Sequence, residues 1–328
     1  MDYSGLLEQH GGYGVAVARE LVELSVWVRL PVATPNIILY IYTVIKKFYI
    51  LTVFTLVSFF GAGFTYAQTN LISFFPKEVY QGEPVMIQIN SNFKSVRGIT
   101  FGGVPVAIFK YKDKATGIVG IDLQKPTGYY EVVVSFNNGN FSTSSLEIKK
   151  KKIRTEAYTI PDKLGGTTDI GRKELIESLA EENNAFRNIK TGKKIWWLGG
   201  FFAPLEKIKV NDEFGYHRQL GAMIMAHKGV DYFAPTGTKV LSTNDGIVRV
   251  VGDYRNYGKT VIVDHGLGVL SFYLHLSDTK VKEGEFVYRD QVVGLSGETG
   301  YADSPHLHFS IRIYGVSVDP EKFLELFK

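Results

Sequence analysis

The sequence predicts a mainly β chain built as an N-terminal immunoglobulin-like β-sandwich, a short helical connector and a C-terminal β-sheet domain. Three observations carry that reading. Between residues 68 and 150, short β-branched and aromatic runs are separated by Gly-, Pro- and Asn-rich turns, which suits a sandwich of short strands. From Gly171 to Asn188 the apolar residues Leu175, Ile176, Leu179 and Phe186 recur at three- and four-residue steps, the period of a one-faced helix. From 196 to 328, strand-like runs return, now bridged by glycine-containing turns.

Composition narrows the function classes. The 328 residues are 45% apolar, enough for about two cores plus extras. There are no cysteines, which excludes disulfides, thiolate metal sites, a cysteine nucleophile and a lipid anchor on an N-terminal cysteine. A net charge of +4 suits an anionic cell envelope and is too small to argue for nucleic acid as a partner.

Residues 1–45 match neither a folded domain nor a charged leader. From Lys46 and Lys47 the pattern clears. Two positive charges precede an uncharged apolar run from Phe48 to Phe64 and then Thr65, Tyr66 and Ala67, the three parts of a secretory signal peptide over 46–67. An uncleaved anchor making transient membrane contact is the competing reading, since the run approaches spanning length. The leader places the mature chain outside the cytoplasm, periplasmic or secreted. Translation starting near Val44 would account for the extension before it.

In the sandwich, Val85–Ile89, Val104–Phe109, Gly117–Ile121 and Tyr129–Val134 read as strands, with turns at 81–84, 125–128 and 137–140. It holds no histidine, and reads as a spacer or positioning module, with wall binding as the alternative. The basic run Lys149–Lys152 with Arg154 reads as a solvated linker. Residues 151–195 form the connector, whose helix packs on the catalytic unit or covers its groove.

The chemistry gathers in residues 196–328. His227 and Asp231 stand four apart, and Gly229 with Val230 between them suits the start of a strand rather than a helical HExxH zinc motif. His275 lies in the middle of the domain. Near the end, His306 and His308 alternate with Leu307, so both imidazoles share one face of a strand while Leu307 turns inward. His227, Asp231 and one of the paired histidines would fill three of zinc's four tetrahedral positions, the fourth left to water.

Taken in order, Glu213-Phe214-Gly215, His227-Lys228-Gly229-Val230-Asp231, Ala234-Pro235-Thr236-Gly237-Thr238, Val263-Asp264-His265-Gly266, Tyr273-Leu274-His275-Leu276, Thr299-Gly300 and Pro305-His306-Leu307-His308-Phe309 resemble the lysostaphin-like, or LytM-type, zinc metalloendopeptidases that cut peptide cross-links of peptidoglycan. The resemblance implies a LytM-type β-sheet peptidase domain and a Zn2+ cofactor. It also implies His227, Asp231 and His308 as zinc ligands, and His275 and His306 as proton-handling residues beside the metal-activated water. Peptidoglycan peptide stems and cross-links would be the substrate; relatives split glycyl-glycine bridges or D-alanyl-diaminopimelate links, and no residue here chooses between them. A non-catalytic adaptor that activates cell-wall amidases is the alternative, although such adaptors lose zinc ligands and this chain keeps all three. A biotinyl or lipoyl carrier, suggested by the Thr236–Val240 and Glu283–Val287 half-repeats, lacks the hairpin lysine at 244–246. His265 reads as a structural hydrogen-bonder. Tyr232, Tyr257 and Tyr301 are candidates to line the groove. His217 stands where many relatives have arginine, with Arg218 one place later.

Overall fold

The computed structural model describes residues 71–157, 168–187, 189–197, 199–220 and 223–328. The proposed leader and the extension before it lie outside them. Among the described residues, no helix is long and apolar enough to cross a membrane.

The first nine strands are β1 (Ile72–Phe75), β2 (Val79–Tyr80), β3 (Pro84–Asn92), β4 (Val96–Phe101), β5 (Val104–Val106), β6 (Ile108–Tyr111), β7 (Lys114–Gly120), β8 (Gly128–Phe136) and β9 (Phe141–Lys149). They form two sheets, β1-β3-β7-β6 and β2-β9-β8-β4-β5, with Val79, Ile99, Ile121, Val132, Val134 and Ile148 buried between them. This is the sandwich expected from the alternation. One expectation needs correcting: Val104–Phe109 is not one strand but β5 and β6, broken at Ala107 and assigned to opposite sheets. Pro105 explains the short first piece, because it sits on an edge strand where its missing N–H interrupts no ladder.

β3 is buried on both faces, and its pleat shows why. Val85, Ile87 and Ile89 enter the sandwich core, while Met86 joins Phe109 and Ile118 in a second cluster with Trp197, Phe201 and Phe327 of the C-terminal part. Phe109 meets Trp197 edge-on at 5.4 Å, and Tyr111 meets Phe327 at 5.6 Å. The outer face of the four-stranded sheet is thus an apolar dock. The basic run is likewise more than a solvated linker. Lys151 pairs with Asp319 at 2.8 Å and lies over the Phe214 ring, and Arg154 lies over Tyr216. These long side chains bury their stems against aromatics while their charges find partners.

The connector adds β10 (Thr155–Ala157) and α1 (Asp169–Arg187). The helix expected at Gly171–Asn188 is present, with Leu175 and Phe186 buried. Phe186 packs among Ile262, Leu270, Phe272 and Leu274, and Leu175 against Tyr301. Glu182 accepts from the backbone N–H groups of Asn256 and Tyr257, pinning the helix to a turn of the next domain.

The remaining strands are β11 (Val210–Asp212), β12 (His217–Leu220), β13 (Met223–Ala226), β14 (Val230–Phe233), β15 (Lys239–Leu241), β16 (Gly246–Tyr254), β17 (Gly258–Gly266), β18 (Val269–Thr279), β19 (Phe286–Val287), β20 (Val292–Ser296), β21 (His306–Ile313) and β22 (Val316–Val318), followed by α2 (Pro320–Glu325). The large sheet runs β11-β14-β21-β18-β17-β16-β19, with β20 joining β15 to β18. β12 and β13 form a hairpin extended by β10. Asp319 caps α2 by accepting from the Glu321 and Lys322 amides, and Pro320 occupies its first turn.

Candidate active site

The site lies where β14, β21 and β18 run side by side. β14 is antiparallel to β21 with Asp231 opposite His308 and Phe233 opposite His306, and β21 pairs with β18 so that Leu274 stands opposite His308. Period-two alternation then does what the sequence implied: Leu307 is fully buried, and His306 and His308 share the other face. His227 reaches the same point from just before β14, as expected of a strand start.

Three ligand atoms converge. His227 Nε2 is 3.1 Å from Asp231 Oδ1 and 3.0 Å from His308 Nδ1, and His308 Nδ1 is 2.7 Å from Asp231 Oδ1. A tetrahedron with bonds of about 2.1 Å has edges of roughly 3.4 Å, so the cluster is slightly contracted around the right size. The neighbours of these residues fix which atoms face inward. His227 Nδ1–H donates to the Glu213 carbonyl at 3.0 Å, which leaves Nε2 as a lone pair. Ser310 spends its hydroxyl proton on the Lys228 carbonyl, so it accepts from His308 Nε2–H and leaves Nδ1 bare. Arg218 donates to Asp231 Oδ2 at 3.1 Å, leaving Oδ1. Three lone-pair atoms therefore face one another, an arrangement that a cation relieves, and outer partners of this kind set ligand orientation in metal sites. The two nitrogens and one oxygen fit zinc.

The electrostatics agree. Burial would raise the Asp231 carboxyl, but the charges of His227 and His308 and their hydrogen bonds hold it well below its usual range. Burial pushes His308 down to about 4, against the pull of Asp231, so the imidazole is in its ligating form at neutral pH.

His275 and His306 complete the cluster, their rings 4.9 Å apart and His275 5.9 Å from His308. His275 Nδ1–H donates to the Thr299 carbonyl, and His306 Nδ1–H to the Ser304 carbonyl, so both direct a bare Nε2 away from those bonds. His306 Nε2 lies 3.7 Å from Asp231 Oδ1. Burial, helped by His306 and His308, lowers His275 to about 3. His275 also has φ +60°, a left-handed conformation costing a non-glycine residue on the order of 1–3 kcal/mol. Its amide is held there by the Tyr257 carbonyl at 3.0 Å.

A cavity of about 370 Å³ opens beside the triad, bounded by His227, His275 and His308 on one side and by Ile176, Leu179 and Asn183 of α1 on another. Tyr257 and Tyr301 line it, whereas Tyr232 is core, 1% exposed. His265 is remote from this chemistry: it is buried, bonded to the Asp245 carbonyl and Ser271, and pushed down by burial to about 4.

Sequence reading missed five contributors. Arg218 was noted only as a displaced arginine, and Ser310 not at all, because their roles depend on strand register. The carbonyls of Glu213 and Thr299 act through backbone, which no side-chain pattern reveals, although both residues fall in the matched segments. Gly229 is the fifth: a Cβ there would collide with His308 and stand 2.5 Å from Ser310 Oγ.

Residues 225–320 match peptidase family M23. The C-terminal part of the chain is an M23 peptidase domain. The chain is 39% identical over 132 residues to the DD-carboxypeptidase/endopeptidase Mpg of Neisseria meningitidis serogroup B, covering 39% of this chain and 30% of that protein. Over 188 residues the chain is 37% identical to the peptidoglycan DD-endopeptidase ShyB of Vibrio cholerae, covering 57% of this chain and 39% of the relative. The chain thus aligns with well under half the length of these curated relatives. A crystal structure assigned to peptidase M23 from Pseudomonas aeruginosa superposes with a TM-score of 0.57 at 26% identity, covering 77% of this chain and 97% of that one. That superposition is too long for the M23 domain alone, so it takes in described residues upstream of residue 225 as well.

Proposed function

We propose that the protein is a zinc metalloendopeptidase that hydrolyses peptide cross-links of bacterial peptidoglycan outside the cytoplasm, with His227, Asp231 and His308 as zinc ligands. The observation that carries this reading is the convergence of His227 Nε2, Asp231 Oδ1 and His308 Nδ1, all within 4.8 Å of one another, each with its second polar atom engaged elsewhere. Zinc held there would make a water acidic enough to ionise near neutral pH and would polarise the scissile carbonyl. The names of the relatives point to the same substrate class.

The chain's own residues divide the proton work. Because burial makes charging His275 costly, its neutral Nε2 serves best as a hydrogen-bond acceptor that orients the attacking water. His306 is bonded through Nδ1 at the solvent side of the site, so its Nε2 is the easier acceptor of the water's proton. The imidazolium formed on His306 then donates that proton to the amine as the C–N bond breaks, returning the residue to its starting form.

Purified protein incubated with sacculi, with released peptide ends identified by mass spectrometry, tests the reading. New amino and carboxyl termini at a cross-link, abolished by chelation and restored by Zn2+, are expected. Zinc-loaded protein that releases nothing but stimulates an amidase would favour the adaptor instead.

A further inference from the structure

The face of β21 that carries the two histidines continues at two-residue steps through Ser310 to Arg312. Arg312 is only 7% exposed. A buried guanidinium is ordinarily matched by a carboxylate, because an unpaired charge in the interior is costly. Among the described residues, Arg312 has no carboxylate within ion-pair distance. Its Nη2 donates to Asn183 Oδ1 at 3.0 Å, the Tyr257 hydroxyl is within reach, and the guanidinium lies over the Phe272 ring at 4.4 Å. Its Nε is buried with no partner at all. Arg312 also lines the same cavity as His227, His275 and His308, and that cavity has the volume of a small-ligand pocket.

From these observations we infer that Arg312 is a specificity-determining residue that binds a free carboxylate of the substrate through Nε and its planar fork, with Asn183 standing in for that carboxylate in the free protein. The inference rests on the peptidase reading above. Four residues of strand at about 3.3 Å each separate the Cα atoms of His308 and Arg312 by roughly 13 Å, and the arginine side chain can close part of that. The recognised group is therefore a carboxylate carried about two to three residues from the scissile amide. Neutral glycine bridges offer no such group, so the subsite selects stems that bear acidic ends. Asn183 is the natural stand-in: an amide oxygen accepts from the same fork but carries no charge, and a carboxylate displaces it with a stronger, charge-assisted pair. Because Asn183 belongs to α1, occupancy of the subsite also alters how the helix is held.

The test uses two synthetic cross-linked peptides, identical except that the free carboxylate at this distance is a carboxamide in one. Binding to the full chain carrying His306→Ala, which slows turnover, is measured by calorimetry, and cleavage is measured on the otherwise unchanged protein. We expect the carboxylate peptide to bind at least about tenfold tighter. Arg312→Gln should erase that gap while keeping zinc content and melting temperature, and Arg312→Lys, which keeps charge but loses the fork, should keep part of it. In cleavage the loss should fall on KM for the carboxylate peptide and leave the carboxamide peptide nearly unchanged. Equal binding of the two peptides, or a gap that survives Arg312→Gln, overturns the inference. If Arg312→Gln fails to fold, Arg312→Lys decides: a gap reduced from the parent's supports the inference, and an undiminished gap overturns it. A binding gap without any cleavage supports the subsite and counts against the peptidase reading alone.

Discussion

The sandwich and the M23 domain share a secondary-structure class and differ in what they bury. Within the sandwich, Glu83, Gln88 and Thr116 are the buried polar side chains among the described residues, and the core is otherwise hydrocarbon. The M23 domain buries His227, Asp231, Asp264, His265, His275 and Arg312, together with a set of serines, threonines and asparagines that bond to them or to backbone. Sheets need only alternation to form, so the sandwich shows what alternation alone builds. The second region places charge and imidazole where hydrocarbon would be more stable, and, the Nε of Arg312 apart, it satisfies them one bond at a time. Polar networks of that kind are worth keeping only when they hold a geometry that something else requires.

Four substitutions sharpen that contrast, in falling order of effect. His306→Ala should lower the rate by about 10²- to 10⁴-fold while zinc content stays at one per chain, measured by peptide release beside metal analysis. Undiminished turnover would remove His306 from the mechanism. On the other side of the comparison, Ile87→Ala in the sandwich core should cost about 2–5 kcal/mol in chemical denaturation and leave the rate per folded molecule near that of the parent. If that variant stays fully folded and loses activity, the sandwich takes part in the chemistry.

The third effect is a pH dependence. Buried His265 has a folded pKa of about 4 against an unfolded value near 6.5, so it stays neutral in the folded chain while the unfolded chain takes up a proton. Its contribution is present above pH 6.5 and is lost as pH falls toward 4, by about 3 kcal/mol in all. His265→Gln should flatten that acid limb in denaturation measured across pH 4–7. A limb of unchanged steepness would assign the titration to other groups. Smallest is Gly229→Ala, whose added methyl meets His308 and Ser310. Zinc affinity should fall by about 10- to 100-fold with little change in melting temperature of the metal-free protein.

Much of this was legible in the sequence. Leu307 between two histidines announced a strand with one wet and one dry face, and His227 four residues before Asp231 announced its start. The helix was legible from Leu175, Leu179 and Phe186, because a one-sided apolar stripe has few other uses. What stayed hidden depends on contacts between segments far apart in the chain. Met86 reads as one more core residue, yet it belongs to the cluster that joins the sandwich to Trp197, Phe201 and Phe327. Lys151 reads as solvated, yet it pairs with Asp319, 168 residues away. Ser310 and Arg218 look ordinary until register sets them beside His308 and Asp231. Val104–Phe109 misled because a run of apolar residues does not show where a strand changes sheet.

Metal analysis of the purified protein and its ligand variants tests the central claim most directly. The account predicts one tightly bound zinc per chain in the parent and in His306→Ala, and none in Asp231→Ala or His308→Ala. A folded parent that binds no zinc from buffered solution, or an Asp231→Ala variant that retains it in full, would contradict the assignment of the three converging atoms.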